Sequence, residues 1–211
     1  MPEVHITVAD EGFELRGRLD GPEGGPGLVL CHPHPAFGGT MDTPLIVALA
    51  EAAGAAGMRT LRFCFRGIGG SRGRSEGGNA EHRDVCAATS FLRAELQADV
   101  AIAGYSFGAL MATRALANGL SASRFAALAL PTALIVGRDD RVADLRAAAA
   151  AQPSLFIGGD QDQFCDLPVL RGWTEEVATA AVDPLPGVSH FPTGPDLAEL
   201  VRRTVAFVRP R

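Results

Sequence analysis

Val100-Ala-Ile-Ala-Gly104-Tyr105-Ser106-Phe107-Gly108-Ala-Leu-Met111 joins a short, wholly apolar run to a glycine-flanked serine and then to a segment of helical composition. A buried strand reads as a continuous apolar run of this length, and Phe107 to Asn118 is apolar nearly all round, as expected of a helix packed deep against a sheet. The serine falls at the join. A residue on so sharp a strand-to-helix turn takes a strained backbone, and side chains two positions before or after it would collide with the turn, so Gly104 and Gly108 suit their places. Ser106 is then offered at the carboxyl end of the sheet as a nucleophile. The N–H of Phe107, at the positive end of the helix, can face an oxyanion.

Working outward, apolar runs recur at Val4 to Val8, Phe13 to Leu19, Gly27 to Cys31, Arg59 to Phe65, Val100 to Gly104, Phe125 to Val136, Pro153 to Ile157 and Ala180 to Leu185. Segments of helical composition alternate with them: Pro44 to Ala56, Ala80 to Gln97, Phe107 to Asn118, Asp140 to Ala151, Leu167 to Thr179 and Asp196 to Val208. The pattern predicts an α/β fold: a mostly parallel eight-stranded sheet with helices on both faces, opened by an antiparallel pair. No linker or fixed repeat divides the chain, so one domain over 1–211 is expected. Phe125 to Pro153 has room for one strand and one helix, which leaves no cap domain over the serine.

Of 211 residues, 47% are hydrophobic and the formal net charge is -5. Such a chain can bury one ordinary core and presents no basic footprint, which argues against nucleic acid and membrane partners and for a small-molecule substrate. Met1 to Asp10 alternates polar and apolar residues and lacks the basic flank and apolar stretch of a signal peptide, so the cytoplasm is expected. The composition leaves a homodimer open. All 19 basic residues are arginines. Without lysine there is no P-loop, Schiff base or Ser-Lys pair, and no G-x-G-x-x-G follows a strand to hold a nicotinamide. No cofactor is expected. Cys31, Cys64, Cys86 and Cys165 are too scattered for a zinc knuckle or disulfide scaffold and read as core thiols.

A serine hydroxyl needs a base, and His190, in the turn-rich loop Pro186-Gly-Val-Ser-His190-Phe-Pro-Thr-Gly194, is the histidine downstream of Ser106. His5 and His82 read as surface residues. An acid must orient the imidazole. Gly137-Arg-Asp139-Asp140 and Gly159-Asp160-Gln161-Asp162 both place an aspartate three residues after a glycine. Asp162 is preferred, since one helix and one strand then separate its loop from that of His190, whereas Asp140 would leave a further unit between. A second oxyanion donor is expected after Leu28 to Cys31, in His32-Pro33-His34-Pro35-Ala36-Phe37-Gly38-Gly39. Proline has no N–H, and His34 lies further into the loop than His32, so its N–H is favoured. The two histidines also resemble half of an H-x-H-x-D-H dinuclear zinc pattern. Ala36 and Phe37 stand where its Asp and His belong, so no metal is expected.

Taken together, Cys31 to Met41, Leu61 to Ser71, Gly104-Tyr-Ser-Phe-Gly108, Gly159-Asp-Gln-Asp162 and Gly187-Val-Ser-His-Phe191 resemble the small, cap-less α/β-hydrolases near the dienelactone-hydrolase group, in the bacterial branch with an H-P-x-P-x-x-G-G loop. The match runs from about Leu28 to Val208. The resemblance implies the chain order Ser, Asp, His and an ester or related acyl substrate. Dienelactone hydrolases proper have cysteine where this chain has Ser106, so their lactone does not carry over, and Gly70 is an addition to the family's arginine loop. The expected activity is hydrolysis of a small carboxylic ester or thioester through an acyl-Ser106 intermediate. The rivals are a biosynthetic transacylase or cyclase using the same three residues, and a hydrolase fold that only binds.

Overall fold

The computed structural model describes residues 2–9 and 11–210; Met1, Asp10 and Arg211, the ends of the N-terminal stretch and of the chain, lie outside the described residues. Eight strands, β1 (Glu3–Val8), β2 (Phe13–Asp20), β3 (Gly27–Cys31), β4 (Arg59–Phe63), β5 (Val100–Tyr105), β6 (Phe125–Leu128), β7 (Ser154–Gly159) and β8 (Ala180–Leu185), form one sheet in the order β1-β2-β4-β3-β5-β6-β7-β8. β1 and β2, and β2 and β4, pair antiparallel; every other pairing is parallel. Six helices accompany them: α1 (Pro44–Ala55), α2 (His82–Leu96), α3 (Phe107–Ala117), α4 (Asp139–Ala151), α5 (Leu167–Thr174) and α6 (Gly194–Val208).

Successive strand residues point to opposite faces, and the central strands are apolar at every position, so each feeds two cores at once. Leu28 and Leu30 of β3 pack with Ala101 and Ala103 of β5 beneath α1 and α6. Their neighbours Val29, Cys31 and Ile102 pack on the other side with the buried faces of α2, α3 and α4. β5 is therefore covered on both sides, which fixes the level at which it delivers Ser106.

Most elements lie within two residues of where periodicity places them, with two corrections. The apolar run from Phe125 does not continue as a strand to Val136: β6 ends at Leu128, Ala129 takes a left-handed φ of 48°, and Pro131, which cannot donate to a ladder, precedes a 3-10 turn at Thr132–Leu134. Its apolar residues serve a loop, with Leu130 and Ile135 buried. α5 stops at Thr174, short of Thr179, where β-branched residues weaken the helix and a turn from Val177 leads into β8. Between β6 and α4 the chain makes only this turn. Among the described residues no inserted domain covers the carboxyl edge of the sheet, and no helix is long and apolar enough to cross a membrane.

Candidate active site

Ser106 stands at φ 53°, ψ −112°, between the end of β5 and the start of α3. Such a conformation costs about 1–3 kcal/mol, and its surroundings hold it there. The Ser106 N–H donates to the Leu128 carbonyl at 2.8 Å and its own carbonyl accepts from Leu110 at 3.1 Å. A Cβ on Gly104 would come within 2.6 Å of the Ala109 nitrogen, and one on Gly108 would collide with the carbonyls of Cys31 and His32. The elbow thus presses directly on the chain leaving β3.

His190 enters from the loop after β8. Its Nε2 lies 3.0 Å from Ser106 Oγ and its Nδ1 lies 2.7 Å from Asp162 Oδ2. With a carboxylate beside Nδ1 the ring proton belongs there, leaving Nε2 as the acceptor that faces the serine. The Asp162 side chain is wholly buried, and its other oxygen accepts from the N–H groups of Phe164 at 2.8 Å and Cys165 at 3.1 Å. The loops of Asp162 and His190 are joined by Asp160 N–H to Leu185 and Gln161 N–H to Val188. Asp140 is elsewhere: it lies in the first turn of α4, 71% exposed, within 4.0 Å of Arg138 and 3.7 Å of Arg141.

The histidines of the loop after β3 do different work. His32 is fully buried; its Nδ1 is 2.7 Å from the Pro33 carbonyl and its Nε2 accepts the Phe65 N–H at 3.1 Å. Burial pushes the ring down to about 4, against the hydrogen bond to Pro33, so it is neutral at ordinary pH. His34 accepts the Ala36 N–H on Nδ1 and meets the Phe107 ring edge-on, centroids 4.7 Å apart. Both imidazoles therefore brace the loop. The N–H of Phe107, first residue of α3, has no acceptor within its helix, and among the described residues none takes the N–H of His34. His5 is exposed beside Glu14, as expected; His82 is half-buried at the start of α2. Cys31, Cys64 and Cys165 are buried free thiols, and Cys86 is half-buried.

Several contributors escaped the sequence reading. Tyr105, the chain's single tyrosine, donates its hydroxyl to the His190 carbonyl at 2.6 Å and stacks on that ring; burial pushes the phenol up to about 12, so it remains a donor. Phe164 and Phe191 stand edge-on to the His190 ring at 4.8 and 5.0 Å. Arg66, just past β4, is buried with its guanidinium bonded to Asp84 on one edge and Glu11 on the other; burial opposes its charge, but these carboxylates outweigh it and raise its pKa. Asp84 also takes the Arg66 N–H, so this network fixes the chain beside Phe65, which in turn holds His32. Glu81, fully buried, gathers Ser75, Glu76 and Gly78 onto its carboxylate. The sign available in the sequence was the position of Tyr105 inside the serine motif.

Residues 28–208 match the family model described as the alpha/beta hydrolase family. An uncharacterized protein of Rickettsia prowazekii is 27% identical over 167 residues, 78% of this chain and 68% of that one. Among solved structures, an alpha-beta serine hydrolase homologue from Coxiella burnetii is 26% identical with a TM-score of 0.81, covering 97% of this chain and 96% of that one. A protein of unknown function from Agrobacterium tumefaciens, described as a putative alpha/beta hydrolase, is 28% identical with a TM-score of 0.82, covering 98% and 94%.

Proposed function

The chain belongs to the alpha/beta hydrolase family, and from that premise we propose that it is a serine hydrolase cleaving a small carboxylic ester or thioester through an acyl-Ser106 intermediate, within the branch marked by the H-P-x-P-x-x-G-G loop. The observation that carries the reading is the hydrogen-bonded line from Ser106 Oγ through His190 to the buried Asp162, set on a strained turn. In this reading His190 Nε2 takes the Ser106 proton as Oγ attacks the carbonyl carbon, while Asp162 holds the ring and stabilises its positive charge. The N–H groups of Phe107 and His34 receive the oxyanion. His190 then returns the proton to the departing alcohol or thiol, and a water activated by the same nitrogen releases the acid.

The test is labelling of the intact protein by a fluorophosphonate, which reports an activated serine without knowledge of the substrate. Labelling and release of p-nitrophenol from short acyl esters are both expected, and both should vanish in Ser106→Ala. Label retained at another residue, or ester cleavage that survives the substitution, would defeat the assignment.

A further inference from the structure

The large apolar side chains that stand exposed among the described residues, Phe37, Leu134, Val136, Phe164 and Phe191, all lie on loops leaving the carboxyl ends of β3, β6, β7 and β8. These ends surround Ser106. Scattered exposed apolar groups are ordinary; here all five are confined to one edge of the sheet. They are not placed evenly about the serine. Phe37, 88% exposed, reaches the elbow only through the His34 ring, whereas Phe164 and Phe191 touch the His190 ring itself. Phe164 also lines a depression of about 630 Å³, within the usual range for small-molecule sites. Its apolar wall includes Val136, Pro168 and Val169, its rim includes Asp160 and Asp166, and no basic residue is among those that line it.

Resting on the acyl-serine reading above, the hydrogen-bonding demands of two oxygens decide where each half of an ester lies. The carbonyl oxygen faces the N–H groups of Phe107 and His34. The leaving oxygen must come within reach of His190 Nε2, because the bond from acyl carbon to leaving oxygen breaks as the proton taken from Ser106 passes to that oxygen. The alcohol half therefore departs over the His190 ring, beside Phe164 and Phe191; of these three side chains Phe164 alone also lines the depression. We infer that Phe164, Phe191 and this depression form the alcohol subsite, and that it takes a flat, apolar alcohol, neutral or cationic, while disfavouring alcohols or thiols that carry carboxylate or phosphate. Asp160 and Asp166 supply the charge discrimination, and aromatic edges supply the preference for a planar group.

Ethyl, benzyl and 4-carboxybenzyl acetates share one acyl group and have leaving alcohols of similar basicity, so their kcat/KM values compare the alcohol subsite alone. Rates are read by pH-stat for the wild type and for Phe164→Ala, Phe164→Leu, Phe191→Ala and Phe37→Ala. The wild type is expected to favour benzyl over ethyl by about tenfold, equivalent to ~1.4 kcal/mol, and 4-carboxybenzyl should fall several-fold below benzyl. The benzyl-to-ethyl ratio should drop to about two in Phe164→Ala and Phe191→Ala, lie between in Phe164→Leu, and persist in Phe37→Ala, on the scale of one aromatic contact. Equal rates for ethyl and benzyl acetate in the wild type, a preference that persists unchanged in both Phe164→Ala and Phe191→Ala, or faster turnover of 4-carboxybenzyl than of benzyl acetate overturns the inference. If p-nitrophenyl acetate is cleaved in a Ser106-dependent way while those ratios fail, the alcohol subsite alone falls; if no ester depends on Ser106, the functional reading falls with it.

Discussion

Replacing Asp162 by Asn changes one atom in a place where the surroundings dictate which way the amide must face. One carboxylate oxygen receives the N–H groups of Phe164 and Cys165, at 2.8 and 3.1 Å. An amide oxygen can keep both, whereas an amide NH2 turned toward them would set donor against donor in a fully buried site. The NH2 must therefore face His190 Nδ1, 2.7 Å from the present Oδ2, and it can only donate. The ring is driven to the tautomer with its proton on Nε2, and Nε2 can no longer accept from Ser106 Oγ. The same aspartate-to-asparagine change in a serine protease with a Ser-His-Asp triad lowers kcat on the order of 10⁴, or ~5.5 kcal/mol on the barrier. That size of loss is expected here in p-nitrophenyl ester hydrolysis. Loss of the buried charge should lower Tm only modestly, at about 2–4 °C per kcal/mol for a chain of this size. Asp140→Asn removes the same charge from an exposed turn beside Arg138 and Arg141, a contact worth no more than ~1 kcal/mol, and should change kcat less than about twofold by the same logic. If Asp140→Asn proves the more damaging while both variants melt cooperatively near the wild type, the argument from amide orientation is wrong.

Stability should fall in acid because of His32. Its folded value of about 4 lies below the ordinary 6.5, so between those values the unfolded chain binds a proton that the native ring refuses. The contribution is intact above 6.5 and is lost as pH falls through the window, by ~3 kcal/mol. In urea titrations the stability gap between wild type and His32→Gln should narrow by that amount from pH 7 to 4, and a constant gap would count against it. Arg66→Met leaves Asp84 buried without its cation and should cost about 3–5 kcal/mol of unfolding free energy, with a loss under about 1 kcal/mol showing the network to be dispensable. With no cap over the serine, acyl chains gain little burial along their length. Rates for p-nitrophenyl esters should stop rising by about eight carbons, and a steady climb at the ~0.8 kcal/mol per methylene of full burial would reveal an enclosed tunnel.

How much of this was legible follows from what a linear pattern can encode. The central strands are apolar at every position because the sheet is covered on both faces, and the glycines about Ser106 are demanded by contacts with the elbow's own neighbours. Both signals are local, so both could be read. Arg66 meets Asp84 eighteen residues on and Glu11 fifty-five residues back, and Phe164 meets His190 only because β7 and β8 are neighbours. No periodicity announces such partners, since their spacing is set by topology.

The choice between Asp162 and Asp140 shows how one misread boundary propagates. Extending the strand from Phe125 to Val136 made Asp140 a residue just past a strand end, formally equivalent to Asp162 after β7. In the fold, β6 ends at Leu128, twelve residues before Asp140, and the apolar residues between them pack a loop. β7 runs to Gly159, three residues before Asp162. Only the second spacing keeps an aspartate at the edge of the sheet where the next loop, after β8, arrives with His190. Asp140 has meanwhile been carried into the first turn of α4, where a carboxylate suits the positive end of a helix dipole. Pro131 was the available sign: a residue with no N–H inside an apolar run argues for a loop, and giving it that weight removes Asp140 from the competition on sequence grounds alone.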